Sequence, residues 1–195
     1  MRIRGSEPAA TTRARCGRML VAMLVLVGNA AVAADSPVRS IDVKYDGETY
    51  VVDAVMFAPV GQAVAWEVLT DFDHMAQWVP NVAVSKVLKH EGNWVTVEQR
   101  GMARFGGASF PYVTERRIEM KSPSAIKTTQ LKGSLRRVES SIALEPEGKG
   151  TRLNYHLEIV PSVLARAVMS TSFVEHEIIE QFTAIIGEMV HHVRQ

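Results

Sequence analysis

Residues 151–193 read TRLNYHLEIVPSVLARAVMSTSFVEHEIIEQFTAIIGEMVHHV, and the spacing of their apolar positions changes part-way along. Leu153, Tyr155, Leu157 and Ile159 recur every second residue, as in a strand with one buried face. Beyond Pro161 the repeat lengthens. Ile178, Phe182, Ile185, Met189 and Val193 fall three and four apart, flanked by Val174 and Ile186, which is the buried stripe of a helix. Glu175, Glu177, Glu180 and Glu188 are assigned to the other, solvated side. Ser170-Thr171-Ser172 marks a break or an N-cap. A helix over 173–194 spans ~33 Å at ~1.5 Å per residue. A strand of ~10 residues covers the same length, so one helix can lie along a curved antiparallel sheet.

Upstream, the two-residue period runs from Val82 to Pro161. It predicts strands near 82–90, 93–105, 109–121, 124–132, 135–145 and 151–160. The turns are Glu91-Gly92-Asn93, Gly106-Gly107, Ser122-Pro123, Lys132-Gly133 and Glu147-Gly148-Lys149-Gly150, short enough for an antiparallel meander. Val38–Tyr45 and Thr49–Phe57 alternate on either side of Asp46-Gly47, a strong hairpin signal. Val60, Val64 and Val68 predict a helix over Val60–Thr70. Asp71 is expected to N-cap a second short helix, Phe72 to Trp78, closed by Pro80. The fold class is α+β: a curved antiparallel sheet wrapped around a long C-terminal helix, with two short helices after the opening hairpin.

The chain has 195 residues, 47% hydrophobic and 22% charged, with a net charge of +1. Those figures exclude a disordered tail, a collagen-like repeat and a strongly basic nucleic-acid binder. The average hides a boundary near residue 34. Residues 1–18 carry Arg2, Arg4, Arg13, Arg15 and Arg18 against Glu7. An apolar run, Met19 to Val27, and the small residues Ala30 to Ala34 follow. This is the pattern of a secretory signal cleaved after Ala33 or Ala34; an uncleaved anchor is the alternative. The run is too short for a comfortable span of ~20 residues, so no stable membrane span is expected after cleavage. Taking away five Arg and Glu7 from 22 basic and 21 acidic residues leaves 17 against 20, a charge of −3. The only cysteine, Cys16, leaves too. The expected product is a periplasmic or secreted, cysteine-free domain over 35–195, held by its core alone.

Parity assigns the candidate site. In 93–105 the set Val95, Val97, Gln99, Gly101, Ala103 and Phe105 is the more apolar one. In 109–120 it is Phe110, Tyr112, Thr114, Ile118 and Met120, with Arg116 on the same parity. Ser140 lies with Val138, Ile142 and Leu144, and Tyr155 with Leu153 and Leu157. Gln99, Arg116, Ser140 and Tyr155 are therefore four polar groups pointing inward. Leaving a buried polar group unpartnered costs ~1–3 kcal/mol, so they bond one another, water or a ligand, or a β-bulge turns Arg116 outward. Phe105, Phe110 and Tyr112 flank Gly106-Gly107, a candidate mouth, and Phe182 is placed against the sheet.

This order of elements resembles the helix-grip fold of the START and birch-pollen-allergen-like (SRPBCC) superfamily. It is most similar to the bacterial polyketide cyclase/dehydrase and coenzyme Q-binding-like branch. The resemblance rests on Ala65-Trp66-Glu67-Val68-Leu69-Thr70-Asp71-Phe72, Trp78-Val79-Pro80, Val97-Glu98-Gln99-Arg100-Gly101, Leu144-Glu145-Pro146 and Gly150-Thr151-Arg152-Leu153. It implies a cavity between sheet and C-terminal helix that holds an apolar small molecule, with no universal catalytic set.

Other chemistry is missing from the sequence. His176-Glu177-Ile178-Ile179-Glu180 lacks the second His of the zinc motif H-E-x-x-H. Residues 101–107 lack a P-loop Lys, and no Gly-x-Ser-x-Gly elbow occurs. Arg116-Arg117 and Arg136-Arg137 are expected on solvated strand faces. No metal, cofactor, nucleic acid or protein partner is indicated, and no catalytic residue. The leading expectation is an exported carrier of a lipid, quinone or polyketide-like compound. Alternatives are a cyclase/aromatase-type enzyme and an envelope interaction module without ligand. A cavity below ~300 Å³ would weaken the carrier reading.

Overall fold

A computed structural model describes residues 36–194; the expected signal lies outside the described residues. β1 (Val38–Tyr45) and β2 (Tyr50–Ala58) form the opening hairpin. Its turn is closed by Asp46, whose Oδ1 accepts from the N–H groups of Glu48 and Thr49, both at 2.8 Å. Gly47 takes the left-handed conformation the turn requires, at φ 99°. Then come α1 (Gln62–Thr70) and one 3-10 turn at Met75–Gln77. The meander is β3 (Val82–Glu91), β4 (Trp94–Phe105), β5 (Ala108–Lys121), β6 (Ala125–Gly133), β7 (Arg137–Glu147) and β8 (Gly150–Val160). The short α2 (Val163–Arg166) and the long α3 (Thr171–His192) end the domain.

All eight strands form one antiparallel sheet in the order β1-β2-β8-β7-β6-β5-β4-β3. The hairpin thus inserts β2 beside β8, with Tyr50 opposite Ile159 and Ala54 opposite Tyr155. Because side chains alternate, this register puts the apolar sets of both strands on one face. That face buries Val52, Met56, Leu153 and Leu157. Across from it α3 buries Ile178, Phe182, Ile185, Ile186 and Met189. The helix also contacts β1, β4 and α1. It starts where Ser170 stops the preceding chain. The Ser170 hydroxyl accepts from the Phe173 N–H at 3.1 Å, satisfying one of the four amides that a helix start leaves open.

Two expectations about the connecting segment need correcting. The first helix begins at Gln62 rather than Val60. Asp71 does not N-cap a second α-helix: it is the C-cap of α1, and its carboxylate bonds the His74 ring at 2.7 Å. Between Asp71 and Pro80 there is too little chain to repay the cost of nucleating an α-helix. A tighter turn still buries Phe72, Met75 and Val79.

Candidate functional site

The sheet and α3 do not close completely on each other. A cavity of about 280 Å³ remains between them, walled by Ile118, Ile126, Ile142, Leu157, Phe182 and Ile185. Gln99, Phe110, Tyr112, Arg116, Ser140, Tyr155 and Phe182, the residues picked out by parity and helical spacing, all line it. The Phe182 and Tyr155 rings meet edge to face, 4.9 Å between centroids. Phe105 is the exception. It is not in the lining; it is 38% exposed and stacks on His176 at 4.6 Å. Parity carries Phe105 to the helix side, but at the strand's end it meets the flank of α3, and Ala103 is the last β4 residue in the wall.

The polar groups form two networks. In the first, Gln99 donates to Ser85 Oγ at 3.0 Å and to Met75 Sδ at 3.3 Å, and accepts from Arg116 Nη2. Arg116 therefore points inward and is not turned out, correcting its assignment to a solvated face. The β5–β6 register does shift beside it, with Glu115 opposite Lys132 and Arg116 opposite Gln130. The skipped residue is Leu131 of β6, which is exposed; β5 keeps its parity. Arg117, on the opposite parity, lies over the Trp94 ring at 4.1 Å. Ser140 shares a hydrogen bond with the Tyr155 phenol. Burial raises the Tyr155 pKa and pushes Tyr112 up to about 12, so both phenols are neutral donors.

The second network was not anticipated. Glu177, expected in solvent, is buried. Its Oε2 accepts from Asn81 Nδ2 at 2.6 Å and its Oε1 from the Arg104 backbone N–H at 2.7 Å. Asn81 also accepts from Gln181 Nε2 at 3.3 Å, and its carbonyl accepts from the Tyr112 hydroxyl at 3.1 Å. Helical spacing could have located Glu177, which is three residues after Val174 and four after Phe173, inside the apolar stripe. Parity could likewise have added Gln130, two residues after Thr128 and four after Ile126; all three line the wall from β6. Asn81 sits just past Pro80 and carries no sequence signal. Burial raises the Glu177 pKa.

One feature of the wall is unbalanced. Arg116 is its only cation and forms no ion pair among the described residues. Its Nε is buried with no hydrogen-bond partner among the described residues. Burial lowers its pKa, yet a guanidinium stays protonated near neutrality. No His lines the cavity, and no cluster of metal-ligating side chains occurs among the described residues. The arrangement can therefore enclose an apolar body and offer hydrogen bonds, with one positive charge, to an acceptor.

Residues 49–188 match the family described as polyketide cyclase/dehydrase and lipid transport. The chain belongs to that family. No curated protein matches it in sequence. Solved structures share the fold of this family member. A Thermus thermophilus protein is 15% identical, with a TM-score of 0.63 over 73% of this chain and 98% of its own. The Zhui aromatase/cyclase from a Streptomyces species is 15% identical, with a TM-score of 0.62 over 74% of this chain and 96% of its own. A STAR-related lipid transfer protein from Xanthomonas axonopodis is 15% identical, with a TM-score of 0.55 over 80% and 99%. The helix-grip architecture of the START superfamily is thus the fold of this family member.

Proposed function

We propose that this domain is exported and binds or carries a small hydrophobic molecule in the cavity between the sheet and α3. The observation that carries the reading is a largely apolar cavity with a partnerless guanidinium N–H in its wall. An empty hole loses packing contacts along its whole lining, and a half-buried cation with no counter-charge among the described residues adds to that cost. A ligand relieves both. Export is supported by the basic, apolar and small-residue order of residues 1–34. At about 280 Å³ the cavity falls just below the ~300–1,000 Å³ of ligand pockets, which weakens the carrier reading by the volume criterion set from the sequence and limits any occupant to a small one. This weighs against a diacyl lipid or a long-tailed quinone and favours a single chain or a small ring system.

Native mass spectrometry of the protein purified from the export compartment tests the reading. An adduct of one small apolar molecule, lost on denaturation, is the expected result. A clean unliganded mass, with no uptake from a panel of lipids and quinones, would leave the interaction module as the better account. The cyclase-type reading draws on Arg116 and Tyr155 standing in one cavity, where they could hold a reactive chain folded and assist a proton transfer. Turnover that disappears in Tyr155→Phe while binding persists would favour it over a carrier.

A further inference from the structure

The charges in the cavity wall narrow the ligand class. Among the described residues Glu177 is the wall's only carboxylate, and it is already committed to Asn81 Nδ2 and the Arg104 amide. It makes no ion pair with Arg116. The guanidinium spends one N–H on Gln99 Oε1, and its Nε–H has no acceptor among the described residues. The neutral phenols of Tyr112 and Tyr155 line the same cavity. An arginine's N–H groups form a planar fork that matches two oxygens of a carboxylate. Hydrocarbon is contributed to the wall by Ile118, Ile126, Ile142 and Leu157, and neutral polar groups by Thr128, Gln130 and Ser140.

Resting on the cavity reading above, we propose that the ligand is a monocarboxylic acid with one apolar chain or small ring system, bound as its anion on Arg116. The count of charges selects one negative charge over two. A single cation neutralises a carboxylate, whereas a phosphate monoester would bring a second charge into a wall that already holds Glu177. A neutral alcohol or ester would leave the guanidinium uncompensated and fill only the apolar part. No covalent step is involved: the acid enters ionised and leaves ionised.

Isothermal titration calorimetry with decanoate, decan-1-ol and decyl phosphate, at neutral pH and below their aggregation limits, tests the assignment. Decanoate should bind about tenfold or more tighter than decan-1-ol, the size of one charge-assisted bidentate contact, and tighter than decyl phosphate. Arg116→Met should keep decan-1-ol binding and lose the preference for the acid. Equal affinity of acid and alcohol for the unaltered protein overturns the head-group assignment while leaving the cavity reading intact. Tighter binding of decyl phosphate overturns the single-charge argument. If the unaltered protein binds none of the three, both the assignment and the cavity reading fall. These comparisons need no variant, so they hold even if Arg116→Met folds poorly.

Discussion

Gly101 of β4 has no room for a side chain. A Cβ there would stand 1.9 Å from the Asn81 carbonyl oxygen and 2.8 Å from the Tyr112 hydroxyl. That carbonyl accepts from the Met102 N–H at 3.0 Å and from Tyr112, so the close approach anchors the segment bearing Asn81 to the sheet. Gly101→Ala must push this segment away and should cost ~1–3 kcal/mol, read from the urea midpoint; an unchanged midpoint would mean the segment yields freely. A second residue-scale test concerns His156, whose Nδ1 lies 2.7 Å from Asp53 Oδ1 on the outer face of the sheet. The Asp53 hydrogen bond raises the His156 pKa above its ordinary 6.5. The folded-state value exceeds the unfolded one, so the pair's stabilisation is complete below the unfolded value and fades as pH rises through the raised one. Both side chains are well exposed, which limits the effect. His156→Gln should cost a few tenths of a kcal/mol near pH 5.5 and nothing near pH 9. Equal losses at the two pH values in urea titrations would contradict this.

The elements divide the work between them. Parity turns Gln99 of β4, Phe110, Tyr112 and Arg116 of β5, Ser140 of β7 and Tyr155 of β8 into the cavity, because a strand's side chains can only alternate. The helix closes the cavity and supplies Phe182, which is buried and packs on Tyr155. Phe182→Ala should cost ~3–5 kcal/mol, toward the lower figure because one side of the ring already faces the cavity. A melting temperature that did not move would place the helix face elsewhere. Glu177 is held between the start of α3, the Asn81 segment and the end of β4. Its burial shows how far a charge can be drawn into an apolar stripe when two donors await its oxygens.

At the scale of the whole molecule, the cavity is an incompletely filled core with one cation, Arg116, in its wall among the described residues. Replacing even a buried ion pair by apolar residues of similar volume is often neutral or stabilising by ~1–4 kcal/mol, and half-buried Arg116 has no counter-charge among the described residues to lose. Arg116→Met should therefore raise the stability of the unliganded protein by ~1 kcal/mol, the loss of the Gln99 contact offsetting part of the gain. Denaturant unfolding checks this, and a loss of more than ~1 kcal/mol would make Arg116 a structural residue. Much of this architecture was legible in the chain. Alternation and turn residues located all eight strands to within a few residues, and helical spacing located α3, because each depends only on neighbours in sequence. The inward set was legible for the same reason: once a strand exists, parity assigns its faces. Three things depended on the tertiary structure. Asp71 became a C-cap because Phe72, Met75 and Val79 had to reach the core within a few residues of Pro80. Phe105 left the cavity because β4 ends at the flank of α3. The absence of a counter-charge for Arg116 was the third. The sequence by itself determined which side chains of the strands share the face toward the helix. Which of them find partners there was decided only by the packing of distant segments, since hydrogen bonds and charge pairs depend on distances that local periodicity does not contain.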